Sequence, residues 1–135
     1  MRHRLRVAEA ASALLTARLL VAAVPFGSWR GSLGRILVGT GPEAGTDPPA
    51  LKPLLDAHGR ALERLPWEFK CLPRAVALHW MLRRRGIASV LSIGALPRQG
   101  RGRGTIDDLH AWVTVNGVVR HGDSEEGYAV LARLG

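Results

Sequence analysis

The sequence is poor in cysteine and in aromatic residues. The first shortage excludes a fold stabilised by disulfides, and the second excludes a core built mainly from aromatic rings. Cys71 is the single cysteine among 135 residues, so no intramolecular disulfide can form. Phe, Trp and Tyr make up 5% of the chain and hydrophobic residues 47%, so Ala, Leu and Val must fill the core. The length suits one ordinary domain. Nothing points to an oxidising compartment, and we expect a cytoplasmic protein.

The N-terminal segment lacks the uninterrupted apolar run of a membrane span. Residues 1–6 are basic and residues 7–24 mostly apolar, which resembles a signal peptide, but Glu9 and Arg18 interrupt the run. Apolar residues recur instead at helical spacing: Val7, Ala11, Leu14, Leu15 and Leu19. We expect an amphipathic helix that packs on the protein or on a partner, and no integral membrane segment. A peripheral membrane role stays open.

Acidic residues are outnumbered and lysine is scarce. The formal net charge is +8 and the sequence pI is about 11.4, with arginine supplying nearly all of the cations. Such a balance is compatible with nucleic acid or another acidic surface as a partner. The arginines are spread along the chain, however, and no helix-turn-helix or zinc-finger pattern accompanies them. We therefore interpret them as a solvated basic surface and expect no nucleic-acid partner.

Glycine and proline divide the chain into two parts. A first helix is predicted for residues 1 to about 24, where a proline ends it, and a short second helix for residues 28–37. Residues 39–49 are rich in Gly and Pro and mark the best boundary in the chain. We predict an N-terminal helical region over residues 1–45 and a core domain over residues 46–135.

The core begins with two predicted helices. The first spans residues 51–64, and we expect its His58 on a solvated face. The second spans residues 72–85 and is apolar on nearly every side, which is typical of a central, buried helix, so we expect its His79 to be a packed or rim residue. It should begin at or just before Cys71, because Pro73 fits only in a first turn.

Strands follow the central helix. They are predicted over residues 87–94, 109–115 and 118–123, and Gly86 before them is a C′ stop for the helix. The pattern predicts an α+β fold. A central helix carrying Cys71 packs on a small antiparallel sheet, and the N-terminal helices precede it.

Cys71 stands where a helix can support an anion. At a helix N-terminus the outward-pointing backbone N–H groups and the helix dipole stabilise a thiolate, and Arg74 lies one turn further on. The thiolate is the nucleophilic form of cysteine, and the same N–H groups can bind a tetrahedral oxyanion. Cys71 is therefore a candidate nucleophile. The alternative is a buried structural thiol.

Asn116-Gly117 predicts a two-residue hairpin loop, and such a loop fixes the strand register. The predicted pairs are Val115 with Val118, Thr114 with Val119, Val113 with Arg120, Trp112 with His121, Ala111 with Gly122, and His110 with Asp123. Opposed side chains share a face of the sheet, so Asp123 can orient His110 as a base. Asp107 and Asp108 are rivals. We favour Asp123 over Asp108, because a same-strand neighbour is poorly placed to reach the far ring nitrogen.

Many of these residues belong to motifs of a known family. The motifs are Cys71-Leu72-Pro73-Arg74-Ala75, Trp80-Met81-Leu82, Arg84-Arg85-Gly86-Ile87, Ile93-Gly94, His110-Ala111-Trp112-Val113 and Val115-Asn116-Gly117-Val118-Val119. In this combination the sequence resembles the B2 proteins of lasso-peptide biosynthesis, which are transglutaminase-like leader peptidases. The resemblance runs from about residue 67 to the C-terminus and implies a papain-like cysteine-protease core.

The resemblance also implies a function and partners. The protein would remove the leader from a ribosomally made precursor peptide together with a small leader-binding protein. A separate ATP-dependent macrolactam cyclase is a further candidate partner. Matching motifs carry over Cys71 as nucleophile and His110 as base, whereas Asp123 lies where the family varies. One cysteine and five scattered histidines give no metal-ligand spacing, so we expect no metal and no cofactor.

Two other functions stay open. A transglutaminase-like acyltransferase would share the covalent step and pass the acyl group to an amine. A basic peptide- or nucleic-acid-binding module with a degenerate site would have no enzymatic activity. No Gln or Asn precedes Cys71, so an oxyanion hole would use backbone N–H groups, such as that of Cys71, or an unidentified side chain.

Overall fold

Among the residues that the structure describes, four α-helices precede a four-stranded sheet. The computed structural model describes residues 2–35, 46–95, 109–116, 118–122 and 129–135. Its helices are α1 (Arg2–Ala23), α2 (Phe26–Trp29), α3 (Leu51–Arg64) and α4 (Cys71–Arg84), with a 3₁₀ turn at Arg30–Leu33. Its strands are β1 (Val90–Ala95), β2 (Leu109–Val115), β3 (Val118–His121) and β4 (Ala129–Leu134). The predicted α+β class is confirmed.

The helix α4 is the centre of the fold. Both long helices, α1 and α3, pack against it, and so do β1 and β2. It begins at Cys71, as predicted, and Pro73 lies in its first turn. Its buried side chains point in nearly every direction around the helix axis; they include Leu72, Ala75, Val76, Ala77, Leu78, Met81 and Leu82. A helix buried in this way can carry other elements on several sides at once.

A hydrogen-bond pattern at the end of α4 reverses the chain. Gly86 has a φ of +70°, its N–H donates to the Arg83 carbonyl at 3.0 Å, and the Ile87 N–H donates to the Leu82 carbonyl at 3.0 Å. This pair of bonds is the Schellman motif, and the buried Ile87 fastens it to the core. Consequently β1 runs back along α4 in the opposite direction.

The sheet has one strand more than the sequence predicted. Its order is β3-β2-β1-β4, and each neighbouring pair is antiparallel. The additional strand β4 pairs with β1, which is far away in the sequence. No turn signal joins β4 to its partner, so only the tertiary packing identifies this segment as a strand.

The predicted hairpin register holds only beside the turn. The observed pairs are Val115 with Val118, Thr114 with Val119, and Val113 with His121. Arg120 is therefore an extra residue in a β-bulge. The predictions that Arg120 faces Val113 and that His121 faces Trp112 are wrong. Because a shift of one residue changes the face of a strand, the bulge turns His121 to the side of the sheet that carries Val113.

The N-terminal helix completes the helical layer, because α1 packs on both α3 and α4. Its buried stripe consists of Val7, Ala10, Leu14 and Ala17. The predicted stripe shared Val7 and Leu14 but included Leu19, which is 67% exposed. Among the described residues, no helix combines the length and apolarity that crossing a bilayer requires. The predicted boundary at residues 45 and 46 lies at the edge of a segment outside the described residues and stays a prediction.

An ion pair ties α1 to the end of α4. Arg85 donates from its two terminal nitrogens to the two carboxylate oxygens of Glu9, at 2.7 and 2.6 Å. The hydrogen bond from Arg85 holds the pKa of Glu9 below its ordinary value, although burial acts to raise it. The ionised carboxylate therefore stabilises the contact between the two helices.

We expect Glu9→Gln to lower the free energy of unfolding by about 1 kcal/mol at neutral pH, because it removes a two-point, charge-assisted hydrogen bond. The folded-state pKa of Glu9 is depressed, so this contribution is present above the unfolded-state pKa and is lost as the carboxyl protonates in acid. Urea unfolding at neutral and at acidic pH measures both effects. Glu63→Gln, at an exposed site on α3, is the matched control. Equal losses in the two variants would contradict the interpretation.

Candidate active site

Cys71 is the first residue of α4 and its side chain is partly exposed. The N–H groups of Cys71 and Leu72 point out of the N-terminal end of the helix, as the first N–H groups of a helix do. Pro73 contributes no N–H. The cap position is occupied by Lys70, which makes no side-chain cap hydrogen bond and whose ammonium carries no acceptor. The helix end is therefore not closed by a capping side chain from its own N-cap residue.

The charges around this helix end favour an anion. No acidic residue lies in the first turn of α4, whereas Lys70 and Arg74 flank Cys71 and are both exposed. Cations at a helix N-terminus oppose the helix dipole, whereas an anion there is stabilised by it. A thiolate at Cys71 or a tetrahedral oxyanion would meet the positive end of the dipole and two cations. The site suits nucleophilic chemistry of a carbonyl group.

The lengths of α4 and of the chain that follows it are compatible with His110 lying at the same end of the molecule as Cys71. The 14 residues of α4 span about 20 Å, and the extended chain from Ile87 to Gly94 runs back over about the same distance. Gly94 of β1 pairs with His110 of β2. Both strands of this pair contact α4.

His110 lies at the rim of the sheet and is partly buried. Ala111 and Val113 of the same strand belong to the core cluster that includes α4. Because successive side chains of a strand point to opposite faces, His110 lies on the other face of the sheet together with Trp112. The cross-strand partner Gly94 has no side chain, which leaves room beside the imidazole ring.

Two further histidines gather at the first turn of α4. His58 was predicted to be solvated, and this is wrong, because only 2% of it is exposed. Its Nε2–H donates to the Arg74 carbonyl at 2.9 Å. Its ring packs edge-to-face on the ring of His121, with centroids 4.8 Å apart and an interplanar angle of 84°. The bulge at Arg120 is what brings His121 to this side.

These two rings join α3 and β3 to the start of α4. Burial lowers the pKa of His58 to about 4, and the neighbouring His121 and Arg74 add to this effect. Burial followed by the charge of Arg74 also lowers the pKa of His121. Both rings are thus neutral at neutral pH. The sequence does hold a signal for His58, since Leu51, Leu54 and Ala61 define a buried stripe that includes position 58.

His79 is fully buried, which confirms the prediction of a packed residue. A carbonyl only accepts, so Nε2–H donates to the Leu33 carbonyl at 2.6 Å and Nδ1 accepts from the Ser89 hydroxyl at 2.7 Å. Burial lowers the pKa of His79 to about 4 as well. Its polar atoms are satisfied by neighbours within the core, so His79 is structural.

An aromatic pair positions the segment that leads into Cys71. The guanidinium carbon of Arg18 in α1 lies 6.0 Å from the centroid of the Trp67 ring and 5.8 Å from that of Phe69. Such distances allow a cation–π interaction with each ring. Phe69 is buried, whereas Trp67 is 47% exposed beside the entrance to α4. The N-terminal helix thereby helps to place the candidate nucleophile.

Asp123, Asp107 and Asp108 lie outside the described residues, so Asp123 stays a prediction. The register that aligned Asp123 with His110 does not continue past Thr114. Gly122, the residue before Asp123, has a φ of +93°, and an added Cβ would lie 2.7 Å from the Ala111 carbonyl oxygen. The end of β3 is therefore held tightly against β2. Within the described ranges, no group of three His, Cys, Asp or Glu side chains could hold a metal ion.

The buried histidines predict a loss of stability in acid. The pKa values of His58 and His79 are about 4 in the folded protein, against an ordinary value of 6.5. Their contribution is complete above the unfolded-state value and is lost as the pH falls through about 4, because the unfolded chain binds these protons first. A shift of this size corresponds to about 3 kcal/mol for each ring.

The variant His58→Gln separates the two contributions. Its amide can still donate to the Arg74 carbonyl but does not titrate, so we expect the acid-dependent loss to shrink by the His58 contribution of about 3 kcal/mol. Urea unfolding followed from neutral pH to about pH 4 measures the slope. His3→Gln, at an exposed position of α1, should leave the slope unchanged. A slope in His58→Gln equal to that of the wild type would show that His58 does not govern this behaviour.

A family comparison agrees with this arrangement. The model of the transglutaminase-like superfamily matches residues 11–133, which include more than half of α1, the other helices and the strands. A search among curated proteins and a search among solved structures each found no match. The matched region contains the helix that begins with Cys71 and the antiparallel strands that follow it. The chain belongs to the transglutaminase-like superfamily.

Proposed function

We propose that the protein is a cysteine peptidase that removes the leader from a ribosomally synthesised lasso-peptide precursor. The observation that carries this proposal is the position of Cys71, which begins a buried helix and is flanked by two cations. Cys71 is the proposed nucleophile, His110 the proposed base, and Asp123 the proposed acid that orients the imidazole. The motifs around Cys71 and His110, which resemble those of lasso-peptide leader peptidases, support the choice of substrate.

The proposed reaction has two halves. His110 takes the proton from the Cys71 thiol, and the thiolate attacks the carbonyl carbon at the junction of leader and core. The tetrahedral intermediate collapses when His110 passes the proton to the leaving amine, which breaks the peptide bond and leaves a thioester on Cys71. His110 then takes a proton from water, whose oxygen attacks the thioester. Collapse of that intermediate releases the carboxylic acid and restores the thiol.

The oxyanion needs donors that are in place before the reaction. The N–H groups of Cys71 and Leu72 at the start of α4 are suited to this role, because the helix dipole adds to their effect. The Arg74 N–H bonds to the Lys70 carbonyl at 3.3 Å and is already committed to the helix. We therefore propose that the N–H groups of the first two residues of α4 form the oxyanion hole.

The half-exposed Trp67 supports a peptide substrate. It lies four residues before Cys71 and presents an aromatic surface on which an apolar side chain of an extended peptide can pack. The proposal includes a small leader-binding protein that supplies affinity for the precursor. It also places the macrolactam cyclase next in the sequence of reactions, acting on the released core peptide.

Acyl transfer to an amine is the second candidate, and membership of the transglutaminase-like superfamily favours it. The covalent step is the same, and the two reactions differ only in whether water or an amine attacks the thioester. Mass spectrometry of the product distinguishes them, because hydrolysis adds water and acyl transfer adds the amine.

Cys71→Ala should abolish precursor cleavage, and His110→Ala should lower kcat by at least about 100-fold, because general base catalysis is lost. Iodoacetamide labelling tests the same pair without substrate or partner. We expect labelling of the wild type to persist well below about pH 8.5, where an ordinary thiol titrates, and to weaken in His110→Ala. The single cysteine makes the mass of the intact protein an unambiguous readout.

Two histidine variants serve as controls for this experiment. His3→Ala changes an exposed imidazole remote from α4's first turn, and His121→Ala changes a ring that packs on His58. His3→Ala should behave like the wild type, and His121→Ala should lower thermal stability without a selective effect on labelling in acid. Cleavage at full rate by Cys71→Ala, or labelling that depends on His121 and not on His110, would overturn the proposed assignment.

The orienting acid can be identified by a pair of isosteric variants. We expect Asp123→Asn to lower kcat by about 100-fold or more with little change in KM, because the imidazole loses the carboxylate that holds its tautomer. Asp108→Asn should leave kcat within about twofold of the wild type. The reverse pattern would assign the role to Asp108.

A further inference from the structure

A cationic cleft lies at the end of α4 opposite to Cys71. It has a volume of about 380 Å³ and is lined by Arg2, Leu5, Arg6 and Glu9 of α1 and by Arg84 and Arg85 of α4. The 14 residues of α4 separate it from Cys71 by about 20 Å. A ligand in this cleft would not contact the reacting atoms. Its role is therefore distinct from the proposed chemistry.

The stability of the fold accounts for Arg84 and Arg85, which lie at the C-terminal end of α4 and pair with Glu9, but not for the arginines at the start of α1. Arg2 and Arg4 stand in the first turn of α1, which contains no acidic residue. Cations at a helix N-terminus oppose the helix dipole, and they also repel the arginines at the end of α4. A bound anion would turn these unfavourable interactions into favourable ones.

The lining already shows how a carboxylate is held there. Arg85 donates two hydrogen bonds of 2.7 and 2.6 Å to the Glu9 carboxylate, and a terminal nitrogen of Arg84 lies 3.6 Å from the same group. The Arg84 side chain is 74% exposed, so most of it faces solvent. Together with Arg2 and Arg6 it can pair with further carboxylates. Guanidinium groups bind carboxylates in this two-point manner.

An apolar residue in the cleft favours an anionic ligand that also carries an apolar group. Leu5 is 64% exposed and lies among the arginines. An acidic peptide can cover Leu5 with an apolar side chain while its carboxylates meet the arginines. A nucleic-acid backbone offers phosphates but no apolar side chain that could cover Leu5.

We propose that this cleft docks an acidic segment of a partner polypeptide, one whose carboxylates flank an apolar side chain. The arginines supply electrostatic attraction and orientation, and Leu5 supplies an apolar contact. The inference goes beyond the peptidase proposal, because it requires no activity at Cys71. It gives the protein a docking site at one end of α4 and a reactive site at the other.

The test uses the full chain and a fluorescent peptide of Glu residues with interspersed Leu. Fluorescence anisotropy should detect binding that weakens steeply as salt is added, and a peptide with Gln in place of Glu should bind weakly. The double variant Arg2→Glu with Arg6→Gln should weaken binding of the acidic peptide by about tenfold or more. Arg2→Glu places an anion in the first turn of α1, so the midpoint of thermal unfolding should not fall.

A charge-matched variant separates the cleft from general basicity. Lys52→Glu with Arg60→Gln makes the same change in net charge at exposed positions of α3, and it should leave peptide binding within about twofold of the wild type. Equal weakening in the two double variants, or no binding to the wild type, would overturn the proposal. Tighter binding of a DNA duplex than of the acidic peptide, lost in the cleft variant, would overturn it in favour of a nucleic-acid site.

Discussion

Every layer of the structure depends on the burial of α4. Its side chains at Ala75, Val76, Ala77 and Leu78 are fully buried, and the helix contacts α1, α3, β1 and β2. Small residues make this arrangement possible, since Ala10 and Ala17 of α1 are fully buried as well. Helices with small side chains in the contact approach closely. The shortage of aromatic residues is thus compatible with a dense core, because close helix packing fills the volume that rings fill elsewhere.

The middle of α4 is buried, whereas its two ends reach the surface and differ in their chemical properties. Its N-terminus carries Cys71 between Lys70 and Arg74, where the dipole favours an anion. Its C-terminus carries arginines, which complement the dipole, and two of them, Arg84 and Arg85, pair with Glu9 of α1. The interpretation of all arginines as a solvated surface is therefore too simple. Part of the net positive charge lies in a cleft formed by two helices.

Histidine serves two purposes in this fold. His58 and His79 are neutral, hydrogen-bonded links between elements, and burial lowers the pKa of each. Both make the folded protein sensitive to acid, because protonation in the core would leave a buried charge. His110 differs from them in position, since it stands at the rim of the sheet beside a glycine. This difference in environment is the reason that His110, and not a buried ring, is the proposed base.

Local chemistry made much of the fold predictable. Pro73 and Gly86 mark the two ends of α4, because one cannot sit beyond a first turn and the other adopts a positive φ that ends a helix. Asn116-Gly117 correctly predicted a hairpin between β2 and β3 and the two pairs nearest to it. The position of Cys71 at a helix N-terminus followed from the same local signals.

Only the tertiary structure decided features that depend on distant parts of the chain. The strand β4 exists because β1 offers it an edge, and the bulge at Arg120 changes the face of His121 without a local turn signal. The helical spacing of apolar residues in α3 was sufficient to predict that His58 is buried. It could not predict that His58 contacts Arg74 and His121, which are distant in the sequence. Sequence alone determined where elements begin and turn, because those signals act within a few residues. Packing against α4 determined strand number, strand face and histidine contacts, because these depend on surfaces that meet only in the folded chain.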